Sequence, residues 1–191
     1  MKNLILFASG NGSNAENICK YFQHHSHIKV VALICNKEGA GVFERVKPYG
    51  IPTHLANKKQ LLDEDYFLSL IEPYKADLLV LAGWLLLVPP YLVNHYEQKI
   101  VNVHPSLLPK FGGKGMYGHH VHEAVKEANE AETGISIHWV NQHFDEGEII
   151  FQAKTQLSPS DNVDDIAKKI AVLEMANFPK VIESILTKNG S

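Results

Sequence analysis

The chain has 191 residues, of which 45% are hydrophobic and 20% are charged, and its formal net charge is -3. This length and composition suit one globular domain with a sizeable core, and the acidic balance disfavours a nucleic-acid-binding surface, which usually carries a basic excess. Arg45 is the only arginine, so a bound phosphate would depend mainly on backbone N–H groups and lysines. Cys19 and Cys35 lack CxxC spacing, which favours a reducing cytoplasm, and no apolar run reaches the roughly 18–20 residues that a membrane span needs.

Strands and helices alternate along the chain. The patterns predict, in order, a strand over 3–9, a helix over 15–25, a strand over 28–36, a short helix over 41–50 that breaks near Pro48, a short strand over 51–56, a helix over 61–74 and a strand over 76–83. They then predict a strand over 99–105, a helix over 117–129, paired strands over 134–140 and 147–157, and a last helix that Asp161 caps and Pro179 kinks or ends. This order predicts an α/β fold, Rossmann-like, with a mostly parallel sheet, helices on both faces and a late antiparallel pair.

Three chemically suggestive segments fall at or just beyond strand ends, over 9–14, 83–87 and 102–104. In open α/β sheets, ligands bind beyond the carboxyl ends of the strands. We therefore expect these segments to converge on one binding edge.

The sequence SGNGSNA over 9–15 matches GxGxxA between a strand and a helix. Glycines let the backbone approach an anion, and a helix N-terminus offers free N–H groups. An NAD site would also need an acid near the end of the second strand, where Asn36 stands instead. Phosphate binding and a simple turn with Ser13 or Asn14 as the helix cap both remain open.

Asn102 and His104 end a buried strand and, two residues apart, point to the same face. Pro105 holds His104 in an extended conformation. An amide donor beside an imidazole can stabilise an oxyanion and move a proton. Asp145, in HFDEGE, would support this pair if it faces His104, and otherwise belongs to a hairpin turn.

Other polar residues have plainer interpretations. His119 and His122 share a helix face at i, i+3, but no further ligand completes a zinc set, so surface histidines are favoured over a metal site. Glu174 lies beside the apolar stripe of the last helix, and a solvated glutamate is its default interpretation.

Four segments identify a family resemblance: SGNGSN (9–14), NVHPSLLPKFGGKG (102–115), GISIHWV (134–140) and FDEGEII (144–150). Their order resembles that of the phosphoribosylglycinamide formyltransferases along essentially the whole chain. The resemblance implies transfer of a formyl group from the co-substrate 10-formyltetrahydrofolate to the amine of 5'-phosphoribosylglycinamide in de novo purine (IMP) biosynthesis. It also implies one formyltransferase domain over 1–191, with ribonucleotide phosphate binding in the N-terminal half and folate binding and catalysis in the C-terminal half.

The resemblance also assigns roles to individual residues. It implies that Asn102, His104 and Asp145 are catalytic and that no metal is used. It implies that the ribonucleotide phosphate and glycinamide contact Gly12, Ser13, Asn14 and Glu174. It implies that the folate contacts Leu85, Leu86, Leu87, Val88, Asn102, Asn141, Gln142, His143, Phe144 and Asp145.

Three features depart from the family pattern or are left open by it. Many bacterial members carry an arginine where this chain has Leu86, so a side-chain charge contact to the folate is lost. Lys58 and Lys59 are candidates for a second basic folate contact. The segment over 112–118 has four glycines, and we expect it to act as a lid.

Several rival functions remain in view. Formyltetrahydrofolate hydrolases carry an N-terminal regulatory domain, which we do not expect in a chain with SGNGSN at residue 9. Methionyl-tRNA formyltransferases carry a C-terminal tRNA-binding domain, which we do not expect in a chain with Ser191 as its last residue and no basic bias. Asn102, His104 and Asp145 disfavour a catalytically inactive binding module, and Asn36 disfavours an NAD-dependent oxidoreductase. We expect small-molecule substrates and no nucleic-acid or membrane partner, and a monomer and a homodimer are both open.

Overall fold

The computed structural model describes residues 1–188. The strands are β1 (Lys2–Ala8), β2 (Ile28–Cys35), β3 (Thr53–Leu55), β4 (Leu78–Leu81), β5 (Ile100–His104), β6 (Glu132–Trp139) and β7 (Ile149–Gln156). The helices are α1 (Ser13–Phe22), α2 (Val42–Val46), α3 (Lys58–Leu62), α4 (Glu64–Ile71), α5 (Pro90–His95), α6 (His119–Glu127) and α7 (Val163–Lys188), with 3-10 turns over Lys47–Tyr49 and Glu72–Tyr74.

The seven strands form one sheet in the order β3-β2-β1-β4-β5-β6-β7. The first five run parallel, whereas β6 is antiparallel to β5 and β7 is antiparallel to β6. Chain order reverses between β1 and β4, which is where such sheets open a crevice for ligands. The predicted α/β fold with a late antiparallel pair is confirmed.

Alternating side chains of the central strands build a core on each face of the sheet. In β1, Leu4 and Leu6 pack with buried residues of α1, α2, α6 and α7, while Ile5 and Phe7 pack with those of α3, α4 and α5. Both faces are covered, which explains the continuous apolar runs of the parallel strands. Within residues 1–188, no helix has both the length and the apolar character that crossing a membrane requires.

The prediction of a single helix over 61–74 is wrong, because α3 and α4 are two separate helices. Asn57 and Gln60 form a reciprocal capping box that starts α3 early. Asp63 then adopts an extended conformation and accepts a hydrogen bond from the Tyr66 N–H, which starts α4. Helix α5 was not predicted.

The last helix corrects two further expectations. Asn162, rather than Asp161, caps α7: its side chain accepts from the Asp165 N–H, and the Asp165 carboxylate accepts from the Asn162 N–H. Pro179 does not end the helix, which runs on to Lys188. Proline cannot donate to the carbonyl four residues earlier, and the Met175 carbonyl accepts from the Asn17 side chain instead at 3.0 Å. A tertiary contact therefore replaces the missing helical bond.

Candidate functional site

A cavity of about 560 Å³ opens at the carboxyl ends of β1, β4 and β5. The segments 83–88, 102–105, 113–118 and 143–145 line it, together with residues of α1, α6 and α7. The three segments expected to converge do meet at this edge. The cavity has two polar regions, and one apolar wall lies on the side of 84–88.

The first region, the histidine–aspartate corner, consists of Asn102, His104, His138 and Asp145. His104 ends β5 and is 3% exposed. Its Nε2 lies 2.7 Å from the Phe111 carbonyl oxygen and its Nδ1 lies 3.4 Å from Asp145 Oδ2. Both ring nitrogens thus face hydrogen-bond acceptors, so a hydrogen on either nitrogen has a partner in place.

Asp145 holds its carboxylate between two imidazoles. Oδ2 accepts from the Gly113 N–H at 3.0 Å, and Oδ1 lies 3.6 Å from His138 Nε2. Burial alone would raise the pKa of Asp145, but the adjacent His104 ring and the Gly113 N–H outweigh it and hold the pKa well below its usual range. The corner therefore contains a fixed negative charge at neutral pH.

His138 is a site residue that the sequence interpretation missed. In the β5–β6 pairing it lies opposite Asn102, and its Nε2 is 3.1 Å from Asn102 Nδ2. Its Nδ1 donates to the Trp139 carbonyl at 2.8 Å, and the residue is 2% exposed. The signal was present in GISIHWV, where two polar residues interrupt an apolar strand at i and i+2.

Ser136, the other polar residue of that strand, fixes the HPSLLP turn beside His104. Its Oγ donates to the Ser106 carbonyl at 2.7 Å and accepts from the Leu108 N–H at 2.9 Å and from Gln152 Nε2 at 2.8 Å. These buried hydrogen bonds tie the turn to β6 and β7, so the backbone around His104 is held from two sides.

The second region, the helix corner, consists of Asn14, His122 and Glu174, where α1, α6 and α7 border the cavity. Asn14 Nδ2 donates to Glu174 Oε2 at 2.8 Å. Burial raises the pKa of Glu174, although the hydrogen bond from Asn14 opposes this effect. Glu174 is therefore a partly buried member of the site rather than a solvated glutamate.

Gly12 precedes the helix corner and lets the chain turn into α1. Its φ is +82°, and a Cβ there would lie 2.4 Å from Val42 Cγ2. The expected cap is absent, because neither Ser13 nor Asn14 accepts a capping hydrogen bond and Gly12 itself occupies the cap position. The first N–H groups of α1 are thereby left for another acceptor.

The apolar wall contains Leu85, Leu86, Leu87 and Val88. Ser9 fixes its start by accepting from the Leu85 N–H at 3.0 Å. Trp84 also lines the cavity, and its indole N–H is buried without a partner in the described part of the chain. The wall is therefore apolar, and the indole N–H of Trp84 beside it is an unused donor.

The remaining sequence candidates divide between the cavity and its surroundings. His143 and Phe144 line it, whereas Asn141 accepts from the His143 N–H and Gln142 donates to Asn94. Lys58 and Lys59 do not line it; within residues 1–188, Lys114 is the only lysine or arginine that does. No group of three potential metal ligands occurs among the described residues.

Comparison with known proteins gives a consistent result. Residues 2–182 match the model of the formyl transferase family. The phosphoribosylglycinamide formyltransferase of Escherichia coli is 34% identical over 188 residues, covering 94% of this chain and 85% of that protein. The chain belongs to the phosphoribosylglycinamide formyltransferase family.

Further relatives agree with this assignment. The crystal structure of the phosphoribosylglycinamide formyltransferase from Bacillus halodurans superimposes with a TM-score of 0.88 at 36% identity, covering 98% of this chain and 97% of that one. The chloroplastic phosphoribosylglycinamide formyltransferase of Arabidopsis thaliana is 35% identical over 190 residues, which are 96% of this chain, but the chain spans only 65% of that relative. The resemblance inferred from the four sequence segments is confirmed.

Proposed function

We propose that this formyltransferase transfers the formyl group of 10-formyltetrahydrofolate to the primary amine of 5'-phosphoribosylglycinamide, a step of purine synthesis. The observation that carries the proposal is that one cavity contains both the buried histidine–aspartate corner and the helix corner, where Asn14 lies at the start of a helix that no side chain caps. The first corner suits acyl transfer and the second suits a phosphorylated acceptor.

The histidine–aspartate corner can stabilise the charge that develops during transfer. Attack of the amine on the formyl carbon creates an oxyanion. The Asn102 amide has two N–H groups, of which one is directed at His138 and the other is left to donate to that oxyanion. Asp145 lies beside His104 Nδ1 and orients the ring, whose Nε2–H adds a second donor to the oxyanion. That hydrogen can pass to the leaving nitrogen, and the proton lost by the attacking amine then replaces it on the ring.

For His104 to donate a hydrogen bond to the oxyanion, its Nε2 must first leave its present partner. Nε2 is bonded to the Phe111 carbonyl, which directly precedes the glycine-rich segment over 112–118. Movement of that segment on ligand binding would release Nε2 toward the cavity. Amide hydrogen exchange over 112–118 should then slow when both substrates are bound, and unchanged exchange would contradict a lid.

The two halves of the chain take different roles in this proposal. The N-terminal half supplies Gly12, Ser13 and Asn14 for the ribonucleotide phosphate, with Glu174 reaching the glycinamide side. The wall over 85–88 and the turn over 141–145 enclose the folate, a flat ring system that fits an apolar wall with the free indole donor of Trp84. With Leu86 in the wall, Lys114 is the cation best placed for an acidic group of a ligand.

The test is to follow deformylation of 10-formyltetrahydrofolate, or of its dideaza analogue, by absorbance with and without the ribonucleotide. Deformylation only in the presence of the ribonucleotide supports the transferase. Deformylation that ignores the acceptor would indicate a hydrolase, and none under either condition would overturn the assignment.

A further inference from the structure

His122 is a buried histidine for which the proposed mechanism has no role. It lies in the first turn of α6, is 7% exposed and lines the cavity in the helix corner. Its Nδ1 is closed off from solvent and has no hydrogen-bond partner among residues 1–188. The sequence favoured a surface position for it, which is wrong, since of the two histidines at i, i+3 only His119 is exposed.

The other two buried histidines of the cavity behave differently. His104 and His138 each have a protein partner near both ring nitrogens. Buried polar side chains are almost always hydrogen-bonded, so one that is not calls for a specific explanation. Because Nδ1 is enclosed, the partner that a ligand in the cavity can supply is one for Nε2, which likewise has no hydrogen bond among residues 1–188.

The charge state and tautomer of His122 define what that partner must be. Burial lowers the pKa of His122, and the nearby His119 and His104 lower it further, so the ring is neutral at physiological pH. A neutral imidazole has one N–H and one bare nitrogen. Because a buried N–H without an acceptor is costly, the enclosed Nδ1 is best left bare. The hydrogen then lies on Nε2, which makes the ring a donor at the edge of the cavity.

The surroundings indicate which ligand receives this hydrogen bond. The N–H groups that begin α1 are donors without a capping side chain, and Asn14 and Glu174 are already engaged with each other. A further donor at this corner suits an oxygen-rich ligand. We propose that His122 is a binding residue for the acceptor ribonucleotide and donates from Nε2 to an oxygen of its phosphate or ribose, an assignment that rests on the proposed function.

Four variants test this role through the Michaelis constants of the two substrates. His122→Leu should raise the KM for the ribonucleotide about tenfold or more, the effect of losing one hydrogen bond to a ligand, and leave the KM for the folate unchanged. His122→Gln should restore most of the loss because its amide nitrogen lies near the position of Nε2, whereas His122→Asn, whose amide lies near Nδ1, should not. His120→Leu is the matched control and should match the wild type, because His120 is exposed, does not line the cavity, and contacts Glu123 at 3.1 Å and the edge of the Tyr117 ring.

Inorganic phosphate as a competitive inhibitor separates the two possible oxygens. If its Ki rises in His122→Leu by the same factor as the KM, the contact is to phosphate; if the Ki is unchanged while the KM rises, the contact is to the ribose. Both results support the proposal.

An unchanged ribonucleotide KM in His122→Leu would overturn the proposal. If that variant does not fold, equal KM values in the Gln and Asn variants would overturn it as well. If calorimetry shows that the wild-type protein binds no ribonucleotide, the proposed function itself is overturned. This result is distinct from the others because it is measured on the wild type and not on a His122 variant.

Discussion

The two polar corners of the cavity differ in how completely their hydrogen bonds are satisfied within the protein. In the histidine–aspartate corner, each nitrogen of His104 and His138 lies near a protein partner and Asp145 is held from three sides. In the helix corner, the α1 N–H groups lack a capping side chain and His122 Nδ1 lacks any partner in the described residues.

The difference fits two functions, catalysis in the first corner and substrate binding in the second. Groups that stabilise a transition state act best when they are already oriented, because no reorganisation is then needed at the moment of reaction. Groups that bind a substrate must keep hydrogen-bonding capacity in reserve for it. We therefore expect substitutions in the first corner to act mainly on kcat and substitutions in the second to act mainly on the KM for the ribonucleotide.

The largest effect is expected for His104→Ala and Asn102→Ala. Loss of one oxyanion donor typically costs roughly 10²–10³ in rate, so kcat should fall by at least about that factor while the protein remains folded. Steady-state kinetics beside circular dichroism would measure this effect. Near-normal turnover by either variant would remove the proposed role of the corner.

Asp145→Asn should lower kcat about 10²-fold or more, because it removes the charge that supports His104. It should also change the pH dependence of stability. The folded-state pKa of Asp145 lies below the unfolded value of about 3.9, so its stabilising effect is present above that pH and is lost as the pH falls through the folded value.

Urea denaturation of wild type and Asp145→Asn at several pH values tests this second effect. The difference in unfolding free energy should be largest near pH 7 and should shrink below about pH 4. A difference that does not depend on pH would mean that the carboxylate is not stabilised by His104 and the Gly113 N–H.

Gly12→Ala probes the backbone beneath the helix corner. The new Cβ would meet Val42 at 2.4 Å in a backbone conformation with φ +82°, and we expect a loss of about 1–3 kcal/mol in the free energy of unfolding with a raised KM for the ribonucleotide. Gly10→Ala is the matched control, since a Cβ at Gly10 meets nothing within 4 Å. Equal stability of the two variants would contradict the account of this turn.

The smallest effect is expected at His138, which we regard as a positioning residue for Asn102. His138→Leu should lower kcat about tenfold, roughly the value of one hydrogen bond, and change neither KM. His138→Gln can restore the contact with Asn102 and should recover most of the rate. A Gln variant as slow as the Leu variant would show that the contact has no such role.

Local sequence patterns predicted the sheet, the binding edge and the pairing of Asn102 with His104, because strand ends and polar interruptions are local features. The patterns left Asp145 open, and only the family resemblance implied its place beside them. His138 was missed because its partner depends on the register between β5 and β6, which the alternation of GISIHWV does not specify. The Asn14–Glu174 contact joins residues 160 positions apart. The burial of His122 depends on how α6 packs against α7, and Pro179 stays helical because Asn17 binds the freed carbonyl. Each of these features arises from a tertiary contact.

The measurement that tests the central claim most directly follows the formyl carbon itself. The wild-type protein would be incubated with tetrahydrofolate carrying a ¹³C-labelled 10-formyl group, with and without 5'-phosphoribosylglycinamide, and observed by ¹³C NMR. If the two corners serve one transfer, the label moves to the amide of the ribonucleotide and stays on the folate when the ribonucleotide is absent. Label released as free formate, with or without the acceptor, would contradict the account.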